Sequence, residues 1–152
     1  MRRIVQVWLV MALSGAAWAC CGAAPASGAE TKPIDSLDGT WLPVTAEIGG
    51  TPFPEEVRKI ITLKIKANEY RVTVGDVLDR GTIQVDATKS PKSMDLKGVE
   101  GPNKDRTIPA IYELQGDSLQ ICYDLSGQRR PTEFKSTAGT QQFLVRYQRE
   151  KK

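Results

Sequence analysis

Ile61, Leu63 and Ile65 alternate with Thr62, Lys64 and Lys66, and this two-residue rhythm returns along most of the chain. Only a β-strand puts successive side chains on opposite faces, so the rhythm limits the fold more than any other feature. Tyr70, Val72 and Val74 alternate with Arg71 and Thr73; beyond Gly75-Asp76 come Gly81, Ile83 and Val85. After Pro91, Met94 and Leu96 face away from Ser93, Asp95 and Lys97. Ile108 to Leu114, Leu119 to Tyr123 and Phe143 to Tyr147 repeat the pattern. With a first strand over 39–48, the segments make eight main strands, each apolar on one face.

Most of these strands are joined by tight turns, such as Gln115-Gly116-Asp117-Ser118. An all-β, eight-stranded antiparallel up-and-down barrel is the economical arrangement, because closure removes exposed sheet edges. A two-sheet sandwich is the competing architecture. Pro52-Phe53-Pro54 begins one short helical turn, Glu55 to Lys59, whose acidic start and basic end suit the helix dipole. Pro109 cannot donate to a ladder and predicts an edge or bulge early in its strand. Two longer connections remain, Gly98 to Arg106 and Ser126 to Gln141, the second with a brief strand predicted over 132–135.

The N-terminus carries a separate message. Arg2 and Arg3 precede an apolar run from Ile4 to Leu13, and small residues follow. This reads as an export signal over residues 1–29, with cleavage after Ala19 or Ala29. The run is shorter than the roughly 20 residues a spanning helix needs. Ala19-Cys20 also fits the cut of a lipoprotein signal, with lipid added at Cys20, although Ala17-Trp18 fits that pattern poorly. Residues 30–36 read as a linker and 37–152 as one domain. The reading places the domain outside the cytoplasm, in the periplasm, the envelope or the medium, touching membrane only through such an anchor.

Charge and reactive side chains narrow the functional classes. The formal net charge is +3, but Arg2 and Arg3 belong to the signal, so the domain itself is near neutral. No basic stripe with interleaved aromatics points to nucleic acid. There is no histidine, which removes Cys–His and Ser–His catalysis and most zinc sites. Asp95 and Glu113 are strand carboxylates that alternate with apolar neighbours, as solvent-facing residues do. Cys122 lies in a strand and reads as a small packing residue. Arg129-Arg130-Pro131-Thr132-Glu133 either pairs Arg130 with Glu133 locally or meets an anion. No catalytic residue, cofactor or metal is expected, and the chain reads as non-enzymatic.

Trp41 opens the first strand and Arg149 ends the last. If those strands pair, the ring plugs one end of the barrel and Arg149, rather than Arg146, covers its face as a cation–π contact. The alternative is a tryptophan that lines a ligand site. Leu42, Val44, Ala46 and Ile48 form the apolar face of this strand, with Trp41 at the opposite parity; a bulge near Pro43 would reconcile the two. The inward set is bulky, and interiors close-pack unless something holds them open, so a filled barrel is expected. Where space remains, Tyr70, Val72, Ile83, Met94, Tyr112 and Phe143 are its lining.

Several motifs occur in order: Leu37-Asp38-Gly39-Thr40-Trp41, Gly50-x-Pro52-x-Pro54-Glu55-Glu56, Ile111-Tyr112-Glu113-Leu114-x-Gly116-Asp117-x-Leu119-x-Ile121-Cys122, and Arg130-Pro131-Thr132-Glu133-Phe134. In these the chain, over nearly all of Leu37 to Glu150, resembles a lipocalin-like domain family abundant in planctomycete bacteria and without an assigned biochemical role. The resemblance implies a lipocalin-like barrel and carries over no site residue. The wider lipocalin analogy implies a small apolar ligand inside the barrel. The other reading is a rigid scaffold that meets an envelope protein through its two long loops.

Overall fold

A computed structural model describes residues 36–151. The export signal, lipidation at Cys20 and the linker through residue 35 lie outside the described residues. The elements in chain order are β1 (Gly39–Ile48), β2 (Thr51–Pro52), α1 (Glu55–Lys59), β3 (Ile61–Lys66), β4 (Glu69–Val74), β5 (Val77–Asp86), β6 (Lys92–Glu100), β7 (Thr107–Gln115), β8 (Ser118–Asp124) and β9 (Gln142–Arg149). β1 and β3 through β9 form one antiparallel sheet in sequence order, and β9 returns to pair with β1. The result is a closed eight-stranded barrel, not a sandwich. β2 is a two-residue addition on the end of β1.

Two details differ from the alternation. β5 begins at Val77, ahead of the regular pattern that starts at Gly81. Residues 132–135 form no strand. There the Lys135 carbonyl receives the Cys122 thiol at 3.4 Å instead of a ladder partner.

The parity conflict in β1 has a physical solution. Its register against β9 shifts between Pro43 and Thr45, which leaves Val44 as the extra residue of a bulge. One extra residue exchanges the two faces of the strand. Trp41 therefore points inward before the bulge and Ala46 after it, at 0% and 4% exposure. Leu42 and Val44, assigned by alternation to the inner face, are 40% and 48% exposed, because they precede the switch. The Arg58 guanidinium of α1 donates to the Val44 carbonyl and fastens the short helix over the bulge.

The loop between β8 and β9 lies across the outer wall. Arg130 Nη1 donates to the carbonyls of Met94 and Ala110, both at 2.9 Å, and Nη2 meets both oxygens of Asp95 at 2.7 and 2.9 Å. The expected pairing of Arg130 with Glu133 is replaced by this bridge, in which one guanidinium nitrogen serves two main-chain carbonyls and the other a charge-assisted contact to Asp95. Beneath the loop, Ile111 and Cys122 have the outward parity of β7 and β8 yet are buried. Asp124 anchors its start, accepting from the Ser126 hydroxyl at 2.6 Å and from the main-chain N–H groups of Ser126, Gln128 and Arg129. Pro109 pairs with Asp95 on the β6 side, while pairing to β8 begins only at Ala110.

Candidate functional site

The two ends of the barrel are built differently. At one end Trp41 is fully buried beside Leu63, its partner on β3. Trp41 Nε1 donates to the Leu37 carbonyl at 2.8 Å. The Arg149 guanidinium lies over the indole, 4.2 Å from the ring centroid. Its nitrogens also reach the Ser36 and Asp38 carbonyls and the Asp117 carboxylate. Gly39 has φ +148°, and a Cβ there would stand 2.8 Å from Arg149 Nη1. The glycine of Gly-x-Trp makes room for the arginine that covers the tryptophan.

The other end is hollow. An apolar cavity of about 260 Å³ lies there, walled by Phe53, Val57, Val72, Ile108, Leu125 and Phe143. The segment between β2 and α1 brings Phe53 to the rim, 5.4 Å from the Phe143 ring. Tyr123 lies 5.8 Å from Phe143 on the other side. An aliphatic and aromatic wall suits an apolar ligand, here a compact one because the space is slightly below the roughly 300 Å³ at which ligand pockets begin, provided a few polar groups orient it.

Those polar groups lie on the inner surface: Tyr70, Tyr123, Tyr147 and Asp79 all line the cavity. The Tyr123 and Tyr147 hydroxyls are 3.5 Å apart. Burial, followed by the nearby Tyr147 and Tyr70 hydroxyls, raises the Tyr123 phenol well above its ordinary value. Burial pushes Tyr147 up to about 12. Tyr70 is raised by burial first and then by the Asp79 carboxylate beside it. All three are neutral hydroxyls at physiological pH.

Asp79 belongs to the inward face of β5, 9% exposed and opposite Val72 of β4. The loop after β6 is folded onto it. Gly101 has φ +98°, and a Cβ there would fall 2.3 Å from the Leu78 carbonyl, so only glycine lets the loop come this close. That approach delivers Asn103, whose main-chain N–H donates to Asp79 Oδ1 at 3.2 Å and whose side-chain amide donates to Oδ2 at 2.8 Å. The Tyr70 hydroxyl donates to Oδ2 at 3.4 Å. Arg106 donates to Asn103 Oδ1 at 3.3 Å and to the Leu125 carbonyl, so its charge stays one amide away from Asp79.

Of the residues that alternation nominates for a lining, Tyr70, Val72 and Phe143 reach the cavity. Ile83, Met94 and Tyr112 are buried in the core and do not line it. Asp79, Asn103, Phe53 and Leu125 carry no alternation signal of their own. Trp41 lies away from the cavity. Asp95 is held by Arg130 and Glu113 is exposed on the outer wall, so the fold does not bring these carboxylates together. The Cys122 thiol is raised by burial. Among the described residues no group of three or more Cys, Asp or Glu stands in metal-binding proximity. No family model, curated protein or solved structure matches the chain.

Proposed function

We propose that this chain is an exported, non-catalytic lipocalin-like protein that holds a small apolar molecule in the open end of its barrel. The observation that carries the reading is the contrast between the two ends. One is sealed by Trp41 and Arg149, while the other keeps a lined apolar space in a molecule otherwise packed through its middle. Close-packed interiors retain such a space only where the chain is shaped to do so. The basic, apolar and small-residue succession over residues 1–29 supports export, and the motif resemblance supports membership of the lipocalin-like family.

Titration of the purified protein with the neutral apolar dye N-phenyl-1-naphthylamine tests the reading. Saturable fluorescence enhancement is expected, lost in Val72→Phe, whose larger ring enters the cavity. Absence of saturation, or an unchanged signal in a folded Val72→Phe variant, would count against it.

A further inference from the structure

Among the described residues, Asp79 is the one carboxylate that lines the apolar cavity. Its hydrogen-bond donors are two groups of Asn103 and the Tyr70 hydroxyl, all uncharged. None of the ion pairs among the described residues includes it. A carboxylate taken from water without a cation is costly, and removing one partner of a buried charge pair is costly for the same reason. Here uncharged donors alone offset that cost, and a glycine-dependent loop, Gly101 to Asn103, holds the carboxylate in place. Tyr70 touches it, and Tyr123, Tyr147 and Phe143 line the same cavity; aromatic ring faces attract cations.

We infer that the ligand is an amphipathic organic cation, a protonated amine with an apolar body, whose ammonium is seated on Asp79 among the tyrosine rings while its body fills the Phe53–Phe143 mouth. The inference rests on the carrier reading and names the head group that reading leaves open. A neutral or anionic head fits the same space poorly. An alcohol offers only an uncharged hydrogen bond to a carboxylate, and a second carboxylate meets like charge.

Isothermal titration at neutral pH with octylamine, octan-1-ol and octanoate separates the two levels. Octylamine is expected to bind about tenfold or more tighter than octanol, with octanoate weakest, because a charge-assisted hydrogen bond is roughly twice as strong as a neutral one. Asp79→Asn is expected to bring octylamine down to the level of octanol. Octanol or octanoate binding as tightly as octylamine, or an amine preference retained in Asp79→Asn, would overturn the inference and leave the carrier reading standing. If none of the three binds, both fall. Should Asp79→Asn not fold, amide shifts of the wild-type protein decide. The largest octylamine-induced change is expected at the Asn103 N–H, whose acceptor is Asp79, and changes confined to the outer wall would overturn the proposal.

Discussion

Trp41 and Arg149 are cross-strand partners in the seam that closes the barrel, with the guanidinium carbon 4.2 Å from the indole centroid. The contact joins the first strand to the last. The indole is fully buried, between Leu63 of β3 and Arg149 of β9. Trp41→Ala removes a large core ring and is expected to cost about 3–5 kcal/mol. Urea unfolding followed by far-ultraviolet circular dichroism measures it; a loss below about 1 kcal/mol would contradict this placement.

Gly39→Ala tests the space for Arg149 rather than the ring. The new methyl meets Arg149 Nη1 at 2.8 Å and sits on a backbone with positive φ. A cost of about 1–3 kcal/mol is expected from strain alone. Displacing Arg149 adds to that, so the total cost is expected to shrink in an Arg149→Ala background, which a double-mutant cycle reads directly.

Asp124 gives the fold a pH dependence of known sign. Burial acts to raise its pKa, but the Ser126 hydroxyl and the N–H groups of Arg129, Ser126 and Gln128 outweigh it, and the net shift is downward. A carboxyl depressed in the folded state adds stability above the unfolded value of about 3.9 and loses it as pH falls through the folded value. Asp124→Asn is therefore expected to lower Tm at neutral pH, with a cost of roughly 1–3 kcal/mol. The gap to wild type is expected to narrow below about pH 4, the unfolded value, and to close as pH falls through the lower folded value, where the native carboxyl also becomes neutral. A gap of constant size from neutral pH to pH 3 would show that the carboxylate charge is not what anchors the loop.

The strands were legible because each has one wet and one dry face, and a period of two survives any choice of turns. What the period hides is parity: at Val44 one extra residue exchanges the faces, so Leu42 and Val44 look like core and stand in solvent. Asp79 was illegible for a related reason. It is a charged residue on the inward face near the start of β5, ahead of the regular alternation, and only the fold of the next loop makes its position tenable. Ile111 and Cys122 show the converse, since outward parity in an ordinary barrel means exposure and here a loop covers them. That cover is made largely of side-chain contacts to main-chain carbonyls, which no local spacing records.

The loop cover can be tested through the thiol beneath it. Cys122 is fully buried, its sulfur 3.4 Å from the Lys135 carbonyl, and burial raises its pKa. The raised pKa suppresses the thiolate that reacts with disulfide reagents, and burial shields the sulfur from them. In a Cys20→Ser, Cys21→Ser background, labelling of the native protein is expected to be slower than that of the urea-unfolded chain by on the order of 100-fold or more, because reaction must wait for local opening. Arg130 holds the loop to β6 and β7 through Asp95, Met94 and Ala110. Arg130→Ala removes all of these contacts at a partly exposed site, with an expected cost of about 1–3 kcal/mol. Arg130→Lys restores the charge but has one nitrogen where the guanidinium uses two, for the carbonyls and for Asp95, so it should recover little of the loss. In both variants Cys122 labelling is expected to accelerate more than global unfolding does, since the loop detaches before the barrel opens. Equal acceleration of labelling and unfolding would mean that the loop and the barrel open as a single unit, with Arg130 holding both.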